Sequence, residues 1–67
     1  MSNFQRNLIL LLKENKVDQT DLAKHLGISQ QSISRYVNGV TEPRANHIIK
    51  IAKFFKISTD ELLGVRA

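Results

Sequence analysis

Two short runs of helical periodicity flank a single glycine at the centre of this chain. Gln19-Thr20-Asp21-Leu22-Ala23-Lys24-His25-Leu26 precedes Gly27, and Gln30-Gln31-Ser32-Ile33-Ser34-Arg35-Tyr36-Val37-Asn38 follows Ile28-Ser29. Helices this short draw most of their stability from packing, so each must lay its apolar side on a neighbour. The glycine supplies a tight turn at which the first of them stops. The pattern demands a small all-α fold with short connections.

Length and composition agree. The 67 residues allow one domain, spanning 1–67, and no cysteine is present to form a disulfide or a thiolate metal site. The 42% hydrophobic content must therefore hold the fold alone. The longest apolar run, Leu8 to Leu12, falls far short of the ~18 residues of a membrane span and of a signal-peptide core. A soluble, cytoplasmic protein is expected. The net charge of +4 fits a polyanionic partner, although many small domains are as basic. No repeat, low-complexity segment or separating linker interrupts the chain.

Capping residues place five helices. The first is expected from about Asn3 to Asn15. Asp18 caps a second that runs to Leu26, with Gly27 as its stop. Ser29 caps the third, which ends at Asn38-Gly39, and Thr41-Glu42-Pro43 then breaks the chain. A fourth runs from about Ala45 to Phe55. Ser58 and Glu61 have the spacing of a capping box for a last helix that stops at Gly64. No segment alternates with period two for long enough to form a strand.

Helical spacing sorts the faces. Phe4, Leu8, Leu11 and Leu12 share one arc of the first helix. Ile48, Ile51, Ala52 and Phe55 share one of the fourth, with Lys50 and Lys53 pointing away. In the third, Ile33, Tyr36 and Val37 form the core side, while Gln30, Gln31, Ser32, Ser34 and Arg35 fill the other. An ordinary solvated helix carries Glu and Lys there; this one carries amides, hydroxyls and one Arg. Amides donate and accept at once, which is what reading the edge of a DNA base requires.

The chain resembles the phage repressor and Cro family of helix-turn-helix transcriptional regulators over nearly its whole length. The resemblance rests on Gln19-Thr20-Asp21-Leu22-Ala23, the turn Leu26-Gly27-Ile28-Ser29, and Ile33 to Gly39 with its Asn-Gly ending. Pro43, Ile51-Ala52-Lys53 and Ile57-Ser58-Thr59-Asp60-Glu61-Leu62-Leu63-Gly64 extend it through the last two helices. It implies a five-helix, lambda-repressor-like DNA-binding domain with the helix-turn-helix at about 18–38.

Within the family, Ser29-Gln30-Gln31-Ser32-Ile33 is similar to recognition helices whose glutamines and serine contact base edges. The resemblance thus implies base contacts from Gln30, Gln31 and Ser32, supported by Ser34 and Arg35. It implies phosphate contacts from Gln19, Asn38 and Arg44, with Gln19 able to brace Gln30. The implied partner is operator DNA, double-stranded and pseudo-palindromic, bound by a homodimer acting as a repressor. Dimerisation in the family usually involves the last helix, here Ile57 to Val65. The implied setting is the nucleoid of a bacterium or phage host. No cofactor or metal is implied.

Two positions depart from the family pattern. Many members pair an Arg late in the first helix with a Glu near the end of the third; here Leu12 and Val37 stand there, making an apolar contact expected instead. Asp18 is a good cap, but its charge is unfavourable beside a phosphate path. Leu10, Ile9 and Phe54 fall outside or at the margin of the core arcs and are expected as scattered surface residues or a dimer patch.

Catalysis finds no support. His25 and His47 are expected as exposed helical residues, and neither has a second histidine at metal-site spacing. The serines are accounted for by caps and by the polar face. The rival reading is an antitoxin or protein-interaction module on the same fold. Such a surface needs aromatic or aliphatic anchors at its centre, and Gln30, Gln31 and Ser34 are poor anchors.

Overall fold

The computed structural model describes residues 2–65. Five helices are present among them: α1 (Asn3–Glu14), α2 (Gln19–Leu26), α3 (Gln30–Val37), α4 (Ala45–Phe55) and α5 (Thr59–Leu63). The fold is all-α, as the periodicity requires, and no helix among the described residues is long and apolar enough to cross a membrane.

Helix starts follow the side chains that can accept an amide proton. Ser2 accepts from the Gln5 N–H, Asp18 from Asp21 and Ser29 from Ser32. Ser58 accepts from the Glu61 N–H at 3.0 Å while the Glu61 carboxylate accepts from the Ser58 N–H at 3.4 Å, completing the expected capping box. Arg44 stands at the start of α4 and provides no side-chain cap. Gly27 ends α2 at φ 65°, the left-handed conformation that lets the Gly27 and Ile28 N–H groups return to the last turn of α2. α4 ends in the same conformation at Lys56, where no glycine marks the stop.

The core takes one completely buried side chain from each helix: Leu8, Leu22, Ile33, Ile51 and Leu62. Phe4, Leu12, Ala23, Ile28, Tyr36 and Ala52 complete it. Leu11, Val37, Ile48 and Phe55, expected on core faces, are half-buried around its margin. α2 packs on α3, α1 on α3 and α5, and α4 on α5 and α2. Asn7 ties the two ends of the chain by donating from Nδ2 to the Leu62 carbonyl at 2.9 Å.

Among the doubtful apolar residues, Leu10 is exposed, but Ile9 and Phe54 are not simple surface residues. Ile9 is half-buried in a groove with Leu12, Val17 and Val37. Phe54 is half-buried because it stacks between the rings of His25, at 5.4 Å, and Phe55, at 4.9 Å.

Candidate nucleic-acid interface

The helix-turn-helix is built from α2, the Gly27 turn and α3. Its hinge is fixed on the inside by Leu22, Ala23, Ile28 and Ile33, all buried. Ile28 fills the angle between the helices from the turn itself, so the turn is anchored rather than free to swing. At the turn end of α2, Lys50 reaches from α4 and donates from Nζ to the Leu26 carbonyl at 3.2 Å, satisfying an orphan acceptor of the helix end.

α3 divides as its sequence requires. Ile33 is wholly buried and Tyr36 is 4% exposed. Outside that buried arc Gln30, Gln31 and Arg35 are exposed, and no hydrogen bond engages their side chains among the described residues. Ser32 and Ser34 are half-buried at the edges of this platform. The Ser29 hydroxyl donates to the Ser32 hydroxyl at 2.9 Å, so Ser32 shares in the cap of α3 while its own proton stays available. Ser34 accepts from Asn38 Nδ2 at 3.3 Å, which holds the Asn38 amide against the last turn.

The expected phosphate-contacting residues lie at helix ends. Gln19 is the half-buried first residue of α2, Asn38 is the exposed cap at the end of α3, and Arg44 is the exposed residue before α4. Each end presents a side chain with a donor, and α2 and α4 present unpaired backbone N–H groups that favour an anion. Gln19 and Gln30 share no hydrogen bond among the described residues. Asp18 keeps its carboxylate on the Asp21 N–H at 2.8 Å, spending it on the cap. No group of three or more His, Cys, Asp or Glu residues is placed to hold a metal ion among the described residues.

His25 is exposed, as expected, with Nδ1 2.9 Å from the Asp21 carbonyl. His47 is not. It is half-buried, and its Nδ1 lies 2.6 Å from the Tyr36 hydroxyl. Burial, and then the neighbouring charges of Arg44 and Lys50, lower its pKa from the ordinary 6.5. The signal for this contact was Tyr36 itself: a tyrosine on a core arc carries a hydroxyl that must find a partner. The bonds from Lys50 Nζ to the Leu26 carbonyl and from Gln5 Nε2 to the Val37 carbonyl, by contrast, had no local signal.

A helix-turn-helix family model matches residues 8–62 of the chain. An uncharacterised helix-turn-helix-type transcriptional regulator of Methanocaldococcus jannaschii is 38% identical over 48 residues, covering 72% of this chain and 73% of that protein. The crystal structure of a transcriptional regulator from Listeria innocua superposes with a TM-score of 0.86 at 31% identity, over 96% of this chain. This chain spans 60% of the length of that one. The solution structure of the SOS-response transcriptional repressor LexA from Eubacterium rectale superposes with a TM-score of 0.85 at 25% identity, over 94% of this chain and 67% of its own. With its turn anchored by the buried Ile28 and its two-sided α3, the chain belongs to the helix-turn-helix family of phage repressor- and Cro-like transcriptional regulators.

Proposed function

We propose that this protein binds double-stranded DNA sequence-specifically through α3 and regulates transcription, acting as a repressor on a pseudo-palindromic operator that it occupies as a homodimer. One observation carries the reading: Gln30, Gln31 and Arg35 stand exposed outside the arc of α3 that buries Ile33 and Tyr36, and no side-chain hydrogen bond engages them among the described residues. The names of the similar regulators support the same reading.

In this mechanism α3 enters the major groove by its N-terminal end. The Gln30 amide pairs with N6 and N7 of an adenine, Gln31 and Ser32 meet neighbouring bases, and Ser34 and Arg35 serve the next turn. Gln19, Asn38 and Arg44 grip phosphates on either side, which sets register and adds salt-dependent affinity without reading sequence. One domain covers one half-site, and a two-fold pair would place its recognition helices about 34 Å apart. Val65, beyond α5, is exposed and offers apolar surface to the second copy.

Selection of binding sites from random duplex DNA at about 0.15 M salt tests the proposal. A two-fold symmetric consensus with half-sites about one helical turn apart is the expected result. A folded protein that enriches no sequence would overturn it in favour of a partner-binding module.

A further inference from the structure

α3 packs on α1 and α2, and it is not broadly packed on α4. What spans the two helices is a side-chain bond between Tyr36, near the end of α3, and His47, in the first turn of α4. The Tyr36 ring sits edge-on between Phe4, with centroids 5.8 Å apart, and His47, also at 5.8 Å. Its hydroxyl receives the Arg44 N–H at 3.5 Å and lies 2.6 Å from His47 Nδ1. Two residues assigned to phosphate, Asn38 and Arg44, bracket the connection that this bond closes.

The cations around the ring favour its neutral form, and in the Nε2–H tautomer the Nδ1 lone pair accepts the Tyr36 proton while the Tyr36 oxygen receives the Arg44 N–H. His47 then carries its proton on Nε2. The charged groups about the ring are cations, Arg44 before α4 and Lys50 along it, while Tyr36 faces it from α3 and the Glu42 carboxylate stays exposed in the connection. A protonated imidazole would reverse the bond: Nδ1 would become a donor, and the buried tyrosine proton would lose its acceptor.

We infer that His47 is a positioning residue for DNA recognition, and that its bond to Tyr36 is a proton-sensitive latch fixing the end of α3, Asn38 and Arg44 relative to α4. The inference rests on the DNA-binding reading of α3. Acidification opens the latch, so the contrast between specific and random DNA shrinks even though a new positive charge appears. A purely structural histidine would give a stability effect without that loss of contrast.

The experiment is a pH series followed by proton-nitrogen NMR on the free protein, then by affinity for the selected duplex and for random DNA. In the free protein the amides of Tyr36, Asn38 and Arg44 should shift with the ionisation of the His47 ring, at a midpoint below 6.5. In His47→Gln, whose side-chain oxygen accepts the same bond but does not titrate, those shifts should vanish. The specific-to-random affinity ratio should fall about threefold to tenfold between about pH 7.5 and a pH below the His47 midpoint that the spectra give. His47→Gln should keep the neutral-pH ratio at both, and Tyr36→Phe should show a lowered ratio at both. His25→Gln is the control for the other histidine and should follow the natural chain. Amides that ignore His47, or equal pH profiles for the natural chain and His47→Gln, would overturn the latch. Loss of all DNA binding at every pH would instead overturn the functional reading, with the free-protein spectra still deciding whether the latch exists.

Discussion

Gln5, on α1, donates from Nε2 to the Val37 carbonyl at 3.0 Å, closing the C-terminal end of the recognition helix from 32 positions away in sequence. The same side chain lies under Gly39, which turns the chain at φ 69°. A Cβ on Gly39 would fall 2.6 Å from Gln5 Oε1, so glycine is favoured there by its backbone conformation, and any side chain would also push the Gln5 amide from its bond to Val37.

Gly39→Ala is therefore expected to destabilise the fold by about 1–3 kcal/mol, measured by chemical denaturation. Part of that loss is strain at positive φ and part is displacement of Gln5. Gln5→Ala removes the second part, so the double variant should be less destabilised than the sum of the two single changes. Strict additivity would show that Gln5 plays no part in the effect.

Leu12 is 9% exposed and lines one groove with Ile9, Val17 and Val37, so apolar side chains stand at the two positions where the resemblance to the family would put an Arg and a Glu. Leu12→Arg loses this burial and brings a charge into a groove whose carboxylate, Asp18, already serves the cap of α2 and stands beside Lys13. A loss of about 2–3 kcal/mol is expected, eased where the long side chain reaches water. In a domain of this size that lowers Tm by about 10 °C or more. Adding Val37→Glu should recover part of the loss. An unchanged Tm for Leu12→Arg would mean that the first helix is wrongly aligned with the family.

Much of this was legible because local chemistry decided it. Ser29, Ser58 and Glu61 announce helix starts, Gly27 and Gly64 announce stops, and all five serve those roles. The two sides of α3 were legible for the same reason, since Ile33, Tyr36 and Val37 share one arc and the rest of the helix carries amides, hydroxyls and one Arg. Features that depend on where distant elements meet were not legible. Ile28 lies in a turn and has no periodicity to betray its burial, and Leu62 belongs to a helix too short to define a face. His47 was expected in solvent because its own helix gives no reason for burial; Tyr36 from α3 supplies one. Ile9 and Phe54 were missed likewise, each covered by side chains from other segments.

Base readers and phosphate contacts differ in what their removal does. Gln30→Ala should relax preference at one base position and cost about 1–3 kcal/mol per half-site on the selected operator, with little change on random DNA. Arg44→Ala should weaken specific and random DNA alike and reduce the slope of log K against log salt by about 0.9 for each domain bound. Fluorescence anisotropy on both duplexes over a salt series measures both effects. Equal losses on the two duplexes for Gln30→Ala would remove it from the base-reading set.

His47 also makes fold stability depend on pH, with a sign set by its lowered pKa. The unfolded chain takes up the imidazole proton near the ordinary 6.5, while the folded chain resists until a lower pH. Between those two values the unfolded state binds more protons, so stability contributed by neutral His47 is present above 6.5 and is lost as pH falls through the window. Below the folded value both states are protonated and this group adds no further change. The carboxylates titrate in the natural chain and in His47→Gln alike, so the difference between their denaturation midpoints isolates the histidine. That difference should move against the natural chain on acidification and be flat on either side of the window. A shift in the opposite direction would mean that the folded state prefers the imidazolium, with the Tyr36 hydroxyl accepting from it rather than donating to it.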